Sequence, residues 1–172
     1  MKNTIKKFGF YAFVASAIVF FLMLYLGKNL DFGIQEVLGY ISIFVSLSFV
    51  FLGIKYFRDK ENNGTVNLGK ALIIGVVISL FAALAFGIVD TFYLIAINPD
   101  FPEQYMEYAI SNMKETLPAN EFEIEKEKLI NNMKNYSNPY FGGLIMFITV
   151  FMIGVVVSII SSVILQRKSI SS

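Results

Sequence analysis

Residues 141–165 read FGGLIMFITVFMIGVVVSIISSVIL, an unbroken run of 25 residues without a charged side chain. At about 1.5 Å per residue, a helix of this length exceeds the ~30 Å hydrocarbon core of a bilayer. The run therefore predicts a membrane-spanning helix. Continuous apolar runs also exclude an outer-membrane barrel, whose strands alternate in polarity over about ten residues.

Three further apolar runs precede this one. With it, they predict spans at residues 8–26, 37–57, 71–97 and 141–165. The first follows a basic N-terminus, but it is too long for most signal peptides and no cleavage site follows it, so we interpret it as an uncleaved span. The sequence predicts an all-α integral membrane four-helix bundle, with residues 1–172 forming a single membrane domain.

The composition argues against an enzyme. Hydrophobic residues make up 56% and charged residues 16% of the chain, whereas soluble proteins have about 45–50% and about 25%. The chain has no cysteine and no histidine, which removes thiolate nucleophiles, the commonest general base and the commonest metal ligand. We predict no catalytic residue, no cofactor and no metal site, and expect a non-enzymatic protein.

The distribution of basic residues predicts the orientation. Nine Lys and Arg residues would share one side of the membrane: Lys2, Lys6, Lys7, Lys55, Arg58, Lys60, Lys70, Arg167 and Lys168. Five would lie on the other side: Lys28, Lys114, Lys126, Lys128 and Lys134. Because basic residues favour the cytoplasm, we expect both termini there and the loop of residues 98–140 outside.

Residues 98–140 are predicted to form an acidic extracytoplasmic helical hairpin between spans three and four. Asp100-Phe-Pro-Glu103 and Asn120-Glu-Phe-Glu123 have the spacing of capping boxes. Apolar residues recur at helical spacing in two stripes. The stripes are Tyr105, Met106, Ile110, Met113 and Leu117, and then Phe122, Leu129, Ile130, Met133 and Tyr136. Pro118 should break the helix near residues 117–120.

The third span carries a stripe of small residues, Gly75, Ser79, Ala83 and Gly87, at steps of four. Small residues let a neighbouring helix approach closely in lipid, so we predict a helix-packing seam. A mobile or pore-lining helix is the alternative. The fourth span has a weaker version in Gly154, Ser158 and Ser162.

Asp90 is the only acidic residue embedded in a span. Counting from Lys70 puts it near the outer interface, level with Lys28, so a structural ion pair between Asp90 and Lys28 is predicted. Glu36 could compete for Lys28, and Lys114 for Asp90. Two alternatives are that Asp90 faces interfacial water and that it lies on an ion path.

Two charged clusters have simple interpretations. Glu121, Glu123, Glu125 and Glu127 could suggest a divalent cation, but helix geometry spreads them over different faces and Lys126 and Lys128 can neutralise them. The basic turn after the second span suits anionic lipid headgroups, and the orientation rule already accounts for it. The predicted partners are the lipid bilayer and a membrane-protein partner or a second copy, with no nucleic acid.

Several short motifs resemble one family. They are Gly53-Ile-Lys-Tyr-Phe-Arg-Asp-Lys60, Gly69-Lys-Ala71, Asn98-Pro-Asp-Phe101, Tyr136-Ser-Asn-Pro139, Ser158-Ile-Ile-Ser-Ser and Leu165-Gln-Arg-Lys168. Their order and spacing resemble the bacterial membrane family catalogued as domain of unknown function 4199. The resemblance implies a small four-span protein of the bacterial inner membrane, and it implies no activity.

Three functions follow as hypotheses. The first is a non-enzymatic membrane protein whose acidic cap contacts a partner or shields the bundle. The second is a subunit of a small transporter or channel, although the spans hold only one ionisable residue near an edge. The third is a membrane enzyme, which the absence of histidine and cysteine disfavours.

Overall fold

The computed structural model describes residues 1–133 and 138–167. This part of the chain forms six α-helices and no strand. They are α1 (Lys2–Gly27), α2 (Phe32–Tyr56), α3 (Leu68–Ala96), α4 (Phe101–Thr116), α5 (Ala119–Met133) and α6 (Pro139–Leu165). The predicted all-α class is confirmed.

Four helices are long and apolar enough to cross a membrane, namely α1, α2, α3 and α6. A π-helical turn, Phe57–Glu61, extends α2. All four helices begin before the predicted spans, and α1 begins six residues earlier. The reason is that polar and basic residues continue the helices beyond their apolar centres. The four helices indicate a membrane protein.

The four long helices alternate in direction, so both described chain ends lie at the same end of the bundle. The Met1 ammonium group contacts the Glu61 carboxylate at 2.7 Å, and Val66 and Arg167 form an isolated β-bridge. Arg58 is buried and pairs with Asp59 at 2.6 Å. This end, called the basic end below, carries eight of the nine basic residues predicted to share a side, and Lys168 lies outside the described residues.

The turn between α2 and α3 follows the local sequence. Asn63 and Gly64 adopt positive φ angles of 51° and 77°, as expected for an Asn-Gly turn. The Asn67 side chain then accepts a hydrogen bond from the Lys70 amide at 2.9 Å. Asn67 is therefore the N-cap of α3.

Helix α3 lies at the centre of the bundle and packs against α6, α1 and α2. Its buried side chains include Ile74, Ile78, Ala82 and Phe86. Facing residues such as Leu47, Val50 and Ile54 of α2 and Val150 of α6 complete the same apolar core.

Helices α4 and α5 form the predicted hairpin, with α4 ending at Thr116 and α5 beginning at Ala119. Both predicted capping boxes are wrong. Asp100 makes no side-chain cap, and Asn120 lies inside α5, whose first amides bond to the Pro118 carbonyl. The described members of both apolar stripes are half-buried, although no residue of either helix is fully buried. Tyr136 lies outside the described residues.

The acidic face of α5 is partly neutralised within the helix, as the sequence predicts. The Lys128 ammonium lies 2.6 Å from the Glu125 carboxylate, and the Lys126 ammonium lies 3.7 Å from the Glu123 carboxylate. Both pairs are spaced i,i+3 and are partly or largely exposed, so each adds little to stability.

Candidate functional site

The small-residue stripe of α3 faces α6. A methyl group built on Gly75 would lie 2.9 Å from the Ser158 side chain. The Ser79 hydroxyl lies 3.1 Å from both the Gly154 carbonyl and the Ser158 hydroxyl. Ala83 is fully buried. The small-residue stripe of α3 thus packs against the weaker stripe that was predicted on the fourth span.

The closest approach of α3 and α6 joins Gly87 to Gly143, a residue that was not predicted from the sequence. A Cβ atom on Gly87 would lie 2.8 Å from the Gly143 carbonyl oxygen. A Cβ atom on Gly143 would lie 2.6 Å from the Gly87 carbonyl oxygen and would overlap the Thr91 hydroxyl. Backbone therefore meets backbone here, and neither position has room for a side chain.

Asp90 lies six residues before the end of α3, next to the start of α6. Its Oδ2 atom would be 3.5 Å from a Cβ atom on Gly142, so the missing side chain leaves room for the carboxylate. Among residues 1–133 and 138–167, Asp90 has no hydrogen-bond or ion-pair partner.

The structure does not bring Asp90 and Lys28 together. The Lys28 ammonium lies over the Tyr25 ring, 5.0 Å from its centroid. The Phe21 ring contacts Phe92, just beyond Asp90, and Lys28 lies seven residues further along α1, about 10 Å higher. The predicted level treated Lys7 and Lys70 as the starts of the two helices. It was wrong because α1 begins at Lys2, five residues before Lys7, so Lys28 lies further along the bundle. Glu36 and Lys114, the competing partners, do not form those pairs either.

Two adjoining cavities of about 400 and 330 Å³ lie between the α4–α5 hairpin and the bundle. They share five lining residues: Asp90, Phe101, Tyr105, Met146 and Thr149. Because of these shared walls we treat them as one space, called the chamber below. Tyr40 and Thr149, which line it on α2 and α6, are exposed, so the chamber opens between these two helices.

Two further polar groups line the smaller cavity. The Tyr93 side chain is 1% exposed, and its hydroxyl has no hydrogen-bond partner in the described part of the chain. The Tyr105 hydroxyl donates a 2.8 Å hydrogen bond to the Glu36 carboxylate, which ties α4 to α2. Burial, together with that bond, raises the pKa of Tyr105 to about 12, so the phenol keeps its proton at physiological pH.

An aromatic cluster holds α4 on the bundle. The Phe32 ring, at the first turn of α2, lies 5.9 Å from the rings of Phe101 and Tyr105 and 5.1 Å from that of Tyr108. The Phe101 ring also meets Tyr93 edge-on at 5.8 Å. These contacts dock the cap through side chains, since α4 and the bundle share few close backbone contacts.

Tyr93, the Glu36–Tyr105 bond and the aromatic cluster were not predicted from the sequence. A signal for the cluster was present, because Phe101, Tyr105 and Tyr108 recur at i, i+4 and i+7 and so share one face of a helix. Phe32 and Glu36 have the matching i,i+4 spacing on α2. Their docking across the loop is a long-range contact, which spacing does not specify.

A family model described as "Protein of unknown function (DUF4199)" matches residues 7–167. The chain belongs to this family. The match confirms the resemblance drawn from the short motifs, and the DUF4199 description names no activity. No curated protein and no solved structure matches this DUF4199 chain.

The chamber of this DUF4199 protein occupies one half of the bundle. Its lining residues extend along α2 to Ile43 and along α6 to Thr149. Beyond them, toward the basic end, the helices meet through Leu47, Ile54 and Ile78, which are fully buried. The two cavities therefore end against a packed layer, which also contains the buried Ser79 and Ser158 hydroxyls.

Proposed function

We propose that this protein is a non-enzymatic membrane protein whose α4–α5 hairpin caps and shields a chamber at one end of its bundle. The observation that carries the proposal is the docking of α4 on α2, where the Tyr105–Glu36 hydrogen bond lies beside the Phe32 ring cluster. The described apolar stripe residues of both cap helices are half-buried, as expected for a cap that rests on the bundle without becoming part of its core.

We further propose that the protein lies in a bacterial inner membrane, with the basic end in the cytoplasm and the cap outside. The bias of nine basic residues to five supports this orientation. The lipid bilayer then surrounds α1, α2, α3 and α6. The exposed carboxylates of Glu103, Glu107 and Glu121 would give the cap an acidic outer surface, which suits contact with a membrane-protein partner or a second copy.

A transporter or channel subunit is the second candidate, favoured by the unpartnered carboxylate of Asp90 inside a span. The packed layer of Leu47, Ile54 and Ile78 opposes it, because the two cavities stop there. A membrane enzyme is disfavoured, since the chain has neither histidine nor cysteine.

Single cysteines test the cap and the orientation together, since the natural chain has none. The reagent is a membrane-impermeant maleimide, applied to cells with a permeable outer membrane. We expect Ile124→Cys, on the cap and 57% exposed, to react rapidly. Leu94→Cys, beneath the cap and 6% exposed, should react at least tenfold more slowly, because maleimide needs access that the docked cap denies. Lys60→Cys, at the basic end, should react only after lysis.

The outcomes for the cap and for the orientation are distinguishable. Equal rates at Leu94→Cys and Ile124→Cys would contradict the cap. Reaction of Lys60→Cys in unlysed cells, without reaction of Ile124→Cys, would show that the orientation is the reverse of the one proposed. The cap would then be tested by comparing the rates at Leu94→Cys and Ile124→Cys in lysed cells.

A further inference from the structure

Two acidic side chains line the chamber. They are those of Asp90 and Glu36, and among residues 1–133 and 138–167 no lysine and no arginine lies in the wall of either cavity. Glu36 accepts a hydrogen bond from Tyr105, whereas Asp90 has no partner in the described part of the chain. The buried Tyr93 hydroxyl beside them is also unpartnered there. Within the described part of the chain, the site therefore has no positively charged group.

Leaving these groups unpaired is unfavourable. A carboxylate within a span and a buried hydroxyl each lose hydrogen bonds to water, and without a protein partner nothing replaces them. A bound cation would pair with Asp90, and an amine would in addition donate an N–H hydrogen bond to the Tyr93 oxygen. The polar side of the chamber therefore selects for positive charge.

The walls of the chamber select for an apolar body. Six aromatic rings surround the smaller cavity, those of Phe20, Phe32, Tyr40, Tyr93, Phe101 and Tyr105. The face of an aromatic ring attracts a cation within about 6 Å, and quaternary ammonium groups are commonly bound in this way. The remaining walls are mainly aliphatic, so the charged group of the ligand must be attached to a hydrophobic part.

The size and ligand set favour an organic cation over a metal ion. Cavities of about 400 and 330 Å³ fall within the usual range of small-molecule sites, about 300–1,000 Å³. In residues 1–133 and 138–167, no three acidic side chains lie close enough together to hold a metal ion. The opening between α2 and α6, beside Tyr40 and Thr149, gives a hydrophobic molecule a way in from the side.

We propose that the chamber binds a monovalent organic cation with an apolar body, an amine or a quaternary ammonium compound, through the Asp90 carboxylate and the surrounding aromatic rings. The Glu36 carboxylate adds negative potential, and the Tyr93 hydroxyl adds a hydrogen-bonding group. The inference rests on the proposed function, because the cap supplies Phe101 and Tyr105 to the chamber wall.

Isothermal titration of the full chain in a nonionic detergent tests this inference, with benzyltrimethylammonium as the probe. We expect saturable binding of one equivalent. Asp90→Asn should weaken it at least tenfold, because the variant keeps the shape of the side chain and removes its charge. Glu103→Gln, on the exposed face of the cap, is the matched control and should leave the affinity unchanged. Benzyl alcohol, which is neutral and soluble, should bind at least tenfold more weakly than the cation.

Absence of saturable binding to the folded natural chain would overturn the inference. So would equal affinity of Asp90→Asn, with folding of the variant checked by its melting curve. Equal binding of benzyl alcohol would also overturn it, since it would reveal an apolar cavity without charge selection. The cysteine reactions at Leu94 and Ile124 report on the cap without any cation, so failure here is distinguishable from failure of the proposed function.

Discussion

Gly87→Ala is expected to lower the free energy of unfolding of the detergent-solubilised protein by about 2 kcal/mol, a typical cost of overpacking. The added methyl group would lie 2.8 Å from the Gly143 carbonyl oxygen and 3.0 Å from the Phe147 Cβ atom. Neither atom belongs to a flexible side-chain end, so α3 and α6 must separate. Separation sacrifices the close packing that holds helices together in lipid. Unfolding in denaturing detergent measures the change.

Gly39→Ala is the matched control for that substitution. Gly39 also lies inside a long apolar helix. Apart from its two chain neighbours and the backbone of its own helix, no heavy atom lies within 4 Å of the position that the added methyl group would take. Alanine favours the helix over glycine by about 1 kcal/mol, so this variant should be unchanged or more stable. The two substitutions are chemically identical, and opposite signs isolate the packing effect. Equal stabilisation by both would contradict the close contact of α3 and α6.

Phe32→Ala is expected to release the cap and to raise the maleimide reaction rate of Leu94→Cys at least tenfold. Phe32 contacts three rings of α4, and aromatic pairs contribute about 0.5–1.5 kcal/mol each beyond the area they bury. Losing them favours the undocked cap. The melting temperature of the bundle should change little, because no residue of α4 is fully buried.

Ile34→Ala is the control for the release of the cap. Ile34 lies two residues further along α2 and is 51% exposed, so its truncation should leave the reaction of Leu94→Cys unchanged. If Phe32→Ala also left that rate unchanged, the ring cluster would not hold the cap. A large fall in melting temperature would instead mean that the cap is part of the folded core.

The helices and their direction could be predicted from the sequence, because the signals are local and strong. The run of residues 141–165 has no charge, and its span was placed within two residues of α6 (Pro139–Leu165). The break of the hairpin followed from Pro118. Capping at Asp100 and Asn120 was predicted from spacing alone. It failed at Asn120 because a capping box requires the helix to start after its first residue, and α5 starts before Asn120. Asp100 does precede α4, but its backbone is helical (φ −86°, ψ 0°) and not extended, and its side chain accepts no cap hydrogen bond.

The chamber could be predicted only in part. The position of Asp90 on the inward face of α3 could be predicted, since Gly75, Ser79 and Gly87 mark the face of this helix that packs against its neighbours. Its surroundings were not, because they depend on where each helix begins and on the contact of α4 with α2. A start six residues earlier in α1 was enough to displace Lys28 from the level of Asp90.

The central claim, that α4 is docked over the chamber, is tested most directly by the fluorescence of Phe101→Trp. The chain has no tryptophan, so the new indole is the only one, and the adjoining cavities offer space for it. Docking against Tyr93 and Phe32 predicts blue-shifted emission and slow quenching by acrylamide, compared with Ile124→Trp on the exposed side of the cap. Emission and quenching equal to those of Ile124→Trp would place residue 101 in water and contradict the capped chamber.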